Sequence, residues 1–248
     1  MNAEQICWIQ RTKESWGGIE KLKSERENGT KGFLLDSTGF DHFPVKLARE
    51  LGFAVKWLPD YSSSIVSQNG FKLLHELNKK VNGLFVSEFD GKDALIIGAD
   101  GHIGKKVLKI AEGYSMNAIG CDVADYNQNP DLMLSWLRDS EFIFFCCDLN
   151  PSSKDYFKIR HYKAMKNKPL IINVVGRLEL IDLNRLGVCL SLGLVGGYAC
   201  GEIPALHPIK NRRDCLFTEH NGWKSIEAID RRIKAQEKVR NELLKIEA

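Results

Sequence analysis

The sequence predicts an α/β chain built around a doubly wound parallel sheet. Three observations carry this expectation. From residue 93 onward, short continuous apolar runs alternate with helical stretches, the pattern of strands covered on both faces by crossover helices. One such run, LIIGADGHIG (95–104), passes through three glycines straight into a helix-like segment. At 248 residues, 44% hydrophobic and 27% charged, the chain has room for one full α/β domain and a small partner.

The elements follow in order. ICWIQ, GFLLDST and FAVKWL read as strands and DHFPVKLAREL as a helix, a shortened first domain over residues 1–62. SSSIVSQNGFKLLHELNKK reads as a long helix, with Ser62 to Ser64 offering its N-cap. VNGLFVSEFDG is a loop or short hairpin leading onward. DALIIGA, NAIGCDV, EFIFFCC, PLIINVV, LVGGYAC and CLF are strands of a second domain, residues 63–225. HIGKKVLKIAEGYS, PDLMLSWLRDS, RHYKAMKN and LIDLNRLGVCLSLG are its helices. Residues 226–248 form a C-terminal helix returning to the first domain. Its apolar residues Ile229, Ile233, Val239, Leu243 and Ile246 suit one face, and Glu237, Glu242 and Glu247 interleave with its cations.

The bulk properties exclude several classes. A net charge of +3 gives no electrostatic case for nucleic acid. No apolar run approaches the length of a membrane span. An odd count of seven cysteines, no CxxC spacing and no secretory segment argue for reduced thiols in a cytoplasmic protein. Cys146 and Cys147 lie inside EFIFFCC and read as buried strand residues rather than a redox pair. Neither HExxH nor clustered His and Cys at ligand spacing occurs, so no metal is expected.

Gly98, Gly101 and Gly104 follow a strand and open a helix, where backbone N–H groups and a helix N-terminus bind a pyrophosphate. The spacing G-x-x-G-x-x-G is one residue longer than the familiar G-x-G-x-x-G, and a tight turn with no ligand is the plain alternative. Asp122 ends the next strand about 20 residues on, placed to accept both ribose hydroxyls of an adenosine. It would repel a 2′-phosphate, and Val123 and Ala124 offer no arginine to hold one, so NAD is expected over NADP. Asp100, inside the turn, opposes a pyrophosphate unless it points to solvent. His102 either contacts phosphate or faces water.

Several ordered motifs between about residues 33 and 245 together resemble the D-isomer-specific 2-hydroxyacid dehydrogenases. DLNP (148–151), AMK (164–166) and INVVGR (172–177) are similar to the family's Pro-Leu-Thr-Pro turn, Met-Lys helix end and Ile-Asn-x-x-Arg-Gly strand. DSTGFD (36–41) is similar to its Ser-x-Gly-x-Asp segment, and TEHNGWKSIEA (218–228) to its Thr-Pro-His turn. The resemblance implies a Rossmann-like domain behind a truncated, flavodoxin-like substrate domain. It implies an NAD-dependent exchange of hydride with a small 2-oxo or 2-hydroxy acid, and a homodimer formed through the long helix. Arg177 matches the arginine that binds the substrate carboxylate, with Thr38 and Gly39 in the carboxylate-binding turn. His220 matches the acid/base histidine, with Glu202 in GEIP as its partner. Gly98, Gly101, His102, Ile103, Gly104, Asp122, Asp148 and Val175 fall at cofactor-binding positions.

Four departures stand beside the resemblance. Only a remnant of the substrate domain precedes Asp36. The glycine turn carries an extra residue, and so does the stretch from Asn173 to Arg177. Ala199 and Cys200 stand where the family has an aspartate. A minor further change puts Glu219 where the family has proline before the histidine. A catalytically degenerate NAD-binding descendant, serving as a sensor or partner subunit, is therefore the alternative to an active dehydrogenase. Tyr162 and Lys166 fit the Tyr-x-x-x-Lys of short-chain dehydrogenases but follow the glycine turn too soon.

Overall fold

A strand such as FIFF, with every side chain apolar, cannot leave a face in water, and the chain accordingly sandwiches it between helices. The computed structural model describes residues 5–9, 16–40, 42–123 and 129–245. It divides into two units, Met1–Ser62 with Lys224–Ala248, and Ser63–Trp223.

The second unit begins with helix α3 (Ser63–Asn82). It continues through β4 (Asp93–Ile97), α4 (His102–Gly113), β5 (Asn117–Cys121), α5 (Pro130–Asp139), β6 (Phe142–Phe145), α6 (Ile159–Ala164), β7 (Leu170–Asn173), α7 (Leu183–Ser191), β8 (Gly197–Cys200) and β9 (Cys215–Phe217). The strands form one sheet in the order β5-β4-β6-β7-β8-β9, and every neighbouring pair is parallel. The chain runs outward from β4 to β5 and then returns to the other side of β4 for β6. This reversal opens a crevice at the carboxyl ends of β4 and β6, the place where such sheets take ligands.

Side chains alternate between two buried layers. Ile96, Phe144, Ile172 and Ala199 pack with Phe71, Leu74 and Leu77 of α3 and Val107 of α4. Ile97, Phe145, Ile171 and Tyr198 pack with Leu137 of α5, Tyr162 of α6 and Leu186 of α7. Local signals fix the helix starts. Pro130 opens α5, and the Asn129 side chain accepts the Leu132 N–H at 3.2 Å. The Asp182 carboxylate accepts the Arg185 N–H at 2.9 Å and starts α7 there. The helical run expected from Leu180 is therefore shorter, preceded by a single 3-10 turn at Leu178–Leu180.

The first unit holds β1 (Ile6–Ile9), α1 (Gly18–Glu27), β2 (Gly32–Leu35), α2 (Val45–Glu50), β3 (Ala54–Trp57) and the C-terminal helix α8 (Ile226–Leu244). The strands form a parallel sheet in the order β1-β2-β3. Leu22, Phe33, Phe43, Phe53 and Val55 make its core, with Trp16 and Phe43 edge to face at 4.9 Å. The charged segment GIEKLKSERE, unassigned from the sequence, is the crossover helix α1, and it buries only Leu22.

Helix α8 bears out Val239 and Leu243 of its expected face and corrects Ile229 and Ile233. It buries Ala228, Ala235, Val239 and Leu243, while Ile229 and Ile233 are 45% and 52% exposed; Ile246 lies outside the described residues. The face is set by a polar contact. Arg232 pairs with the buried Asp36 at the end of β2, and Gln236 donates to the same carboxylate at 2.7 Å. Among the described residues no helix is long and apolar enough to cross a membrane.

Removing the guanidinium would strand a carboxylate that is 5% exposed. Arg232→Met is expected to cost about 3 kcal/mol, read as a lowered urea midpoint in the first unit; an unchanged midpoint would show the pair to be dispensable.

Candidate active site

The site assembles at the carboxyl ends of the second unit's strands. Gly98 leaves β4 with φ +89°, and a Cβ there would lie 2.5 Å from the Cys147 nitrogen. Only glycine permits both the left-handed backbone and this approach of β4 to β6. A Cβ on Gly104 would lie 2.0 Å from the Gly98 carbonyl oxygen, so α4 packs directly against the turn. Gly101 is the exposed N-cap of α4 and supplies no side chain to its first-turn N–H groups. Those donors, at the positive end of a helix dipole, suit an anion.

The extra residue of the turn is absorbed by hydrogen bonds to β5. The Gly98 and Ala99 N–H groups both donate to the Cys121 carbonyl, at 2.7 and 3.2 Å. The Asp100 N–H donates to Asp122 Oδ2 at 3.1 Å. Asp100 itself is exposed, so its carboxylate is solvated. Asp122 is half-buried at the rim. His102 is exposed on the first turn of α4 and Ile103 half-buried beside it; Asp148 is exposed after β6. Ala124 lies outside the described residues. The Cys147 thiol is buried, and burial with the Asp148 and Asp122 charges pushes its pKa up to about 12.

A second group of residues gathers at β7, β8 and the loop after β9. Gly176 has φ +62°, and a Cβ on it would lie 2.9 Å from His220 Nδ1 and 3.1 Å from the Gly201 carbonyl oxygen. The His220 ring therefore rests against the turn that carries Arg177 and beside the turn that carries Glu202. Arg177 Nη1 donates to the Val175 and Gly176 carbonyls at 3.3 and 3.2 Å. Arg177 and Glu202 both bear electrostatically on the buried Cys200 thiol, whose pKa burial pushes up to about 12. Asn69 of α3 reaches the same corner, since a Cβ on Gly222 would lie 2.3 Å from its Nδ2. Arg177, Glu202 and His220, 43 positions apart in the chain at their extremes, thus converge. Thr38 and Gly39 belong to the first unit, after β2. There Ser37 Oγ donates to the Gly39 carbonyl at 2.6 Å and Thr38 Oγ1 to the Pro59 carbonyl at 3.3 Å.

Residues 61–222 match the family model described as D-isomer specific 2-hydroxyacid dehydrogenase, NAD binding domain. The chain belongs to this family. A D-lactate dehydrogenase of Escherichia coli is 24% identical over 94% of this chain and 73% of its own. Two solved structures share the fold. An acyclic imino acid reductase in complex with NADPH and D-Arg superposes with TM-score 0.82 at 22% identity, covering 96% of this chain and 82% of that one. A D-2-hydroxyisocaproate dehydrogenase superposes with TM-score 0.80 at 15% identity, covering 98% and 84%.

The cofactor of this family member is NAD, and the residues present fit it. The turn is stripped of side chains where a pyrophosphate must approach backbone, the α4 N-terminus is uncapped by side chains, and a carboxylate stands at the end of β5. Sequence reading passed over Asn69 and Tyr198, and took Asn173 only as a motif position. Asn173 and Tyr198 are polar groups within otherwise apolar strands, and that is the one signal that marks them.

The close approach makes a sharp test. Gly104→Ala is expected to weaken NADH binding at least about 100-fold or to unfold the domain, because a 2.0 Å clash with backbone admits no small adjustment. Asp122→Ala, which adds no steric clash but removes the acceptor of the Asp100 N–H, is expected to weaken NADH at least about tenfold. Tryptophan-to-nicotinamide energy transfer reads both.

Proposed function

We propose that the chain is an NAD-dependent oxidoreductase that moves a hydride between the nicotinamide and C2 of a small 2-hydroxy or 2-oxo acid. The convergence of His220 on Gly176 and Gly201, the neighbours of Arg177 and Glu202, is the observation that supports this most. NAD, when bound, supplies or accepts the hydride. The protein's residues have the remaining tasks. The α4 N-terminus with Gly98, Gly101, His102, Ile103 and Gly104 holds the pyrophosphate, Asp122 the adenosine ribose, and Asp148 and Val175 line the cofactor. Asp122 favours NAD over NADP because a carboxylate repels a 2′-phosphate.

Arg177 holds the substrate carboxylate. Its present bonds to two carbonyls are long, and a carboxylate offers the guanidinium two parallel charge-assisted bonds in exchange. His220 is exposed and gives its proton to the developing alkoxide in reduction, or takes it in oxidation. Glu202 stabilises the imidazolium. The D-lactate dehydrogenase among the relatives is consistent with a short acid. The second reading, a degenerate NAD-binding descendant, is favoured by the folding of Arg177 back onto its own turn.

A screen of 2-oxo acids with NADH separates the two. The wild type is expected to oxidise NADH with at least one acid. His220→Gln is expected to lower kcat at least about 100-fold with NADH affinity unchanged, and Arg177→Met to raise KM at least about tenfold. Tight NADH binding with no turnover of any acid would favour the descendant.

We further infer a cytoplasmic homodimer. Directly after α3, Leu84, Phe85 and Val86 are 94%, 89% and 54% exposed, an apolar run suited to burial against a second copy. Sedimentation should give a dimer and Phe85→Asp a monomer; a monomeric wild type would refute this.

A further inference from the structure

Below the Arg177 and Glu202 turns lies a buried polar network that the reaction itself does not use. Asn173 ends β7 and is fully buried. Its Oδ1 accepts the Arg177 N–H at 3.4 Å, and its Nδ2 donates to the Arg177 carbonyl at 2.7 Å. One side chain thus closes the five-residue stretch 173–177 into a ring through both backbone groups of Arg177. The same Nδ2 donates to the Tyr198 hydroxyl at 3.1 Å.

Tyr198 and Cys200 sit two residues apart on β8 and so share a face, and Cys200 is the register partner of Asn173. Both are buried, and the Tyr198 hydroxyl and the Glu202 backbone both bear on the Cys200 sulfur. Burial holds both the phenol and the thiol neutral. The path runs from the Arg177 backbone through Asn173, the Tyr198 hydroxyl and Cys200 to the Glu202 backbone. Its middle link is a single oxygen.

We propose that the Tyr198 hydroxyl is a positioning group that locks the Arg177 turn and the Glu202 turn to one another, holding the carboxylate-binding arginine and the partner of His220 in register. Its catalytic meaning rests on the proposed dehydrogenase reaction; its structural content does not. The lengthened Asn173–Arg177 stretch explains why such a lock is needed. With Gly176 at φ +62° the added residue gives the turn freedom that a shorter one lacks, and the network removes it. A displacement near 1 Å of groups that orient a substrate is enough to slow a reaction greatly.

Tyr198→Phe removes only the oxygen and keeps the buried ring. In the full chain, amide hydrogen exchange is the first readout. The Arg177 and Glu202 amides are expected to exchange about tenfold faster together, as loss of one net hydrogen bond allows. The amides of Phe144 and Ile172, inside β6 and β7, should keep their wild-type rates. Cys200→Ser, which retains a partner for the hydroxyl and an acceptor for the Glu202 N–H, should keep both amides slow. Unchanged exchange at Arg177 and Glu202, a change at only one, or an equal acceleration throughout β7 and β8 would overturn the proposal. With a 2-oxo acid that the wild type reduces, Tyr198→Phe should raise KM and lower kcat, each at least about threefold, at unchanged NADH affinity; KM and kcat both at wild-type values would overturn the catalytic role. A wild type that reduces no acid counts against the proposed reaction, and the exchange result then decides the lock alone.

Discussion

The site depends on one backbone contact, the approach of Gly98 to Cys147 at the seam between β4 and β6. A side chain at 98 would push the two strand ends apart where the sheet reverses its winding. With glycine there, the chain turns within three residues and Gly104 seats α4 against the turn. The helix N-terminus is then aimed at the crevice as a consequence of packing. Because every strand of this sheet is parallel, the ends of β5 to β9 arrive on the same side, and with them Asp122, Asp148, Arg177, Glu202 and His220.

The extra residue in that turn is a structural adjustment with a chemical side. An added residue brings an added N–H, and a buried or rim N–H without an acceptor is costly. Asp122 accepts it through Oδ2. One carboxylate therefore both closes the turn and, in the proposed function, meets the ribose, so the insertion and the cofactor preference are tied to a single side chain.

Much of this was legible in the sequence, for reasons that particular residues make clear. The strands of the second unit announce themselves because runs such as FIFF and LIIN admit only burial on both faces. The crossover helix α1 did not, since GIEKLKSERE places a single side chain in the core and shows no apolar stripe. The first half of the α8 face was misjudged because Ile229 and Ile233 outweigh Ala228 and Ala235 in any hydrophobic count, whereas Val239 and Leu243 are buried as expected. What turns the helix is Arg232 and Gln236 reaching Asp36, a partner too distant in the chain for periodicity to report. The convergence of Arg177, Glu202 and His220 was suggested by ordered motifs. The network beneath them was not, because a tyrosine in a strand reads as apolar bulk until its hydroxyl is seen against an amide.

The pairing of Asp36 with Arg232 spans 196 positions, and this bears on the order in which the protein forms during synthesis. The second unit is continuous, Ser63 to Trp223, whereas the first is interrupted by it. A nascent chain emerging at a few residues per second exposes β2 and its carboxylate long before α8 leaves the ribosome. The face of β2 that carries Asp36, opposite the aromatic core, must wait uncovered while the larger unit folds. That interval makes the amino-terminal strands the segment most in need of a chaperone.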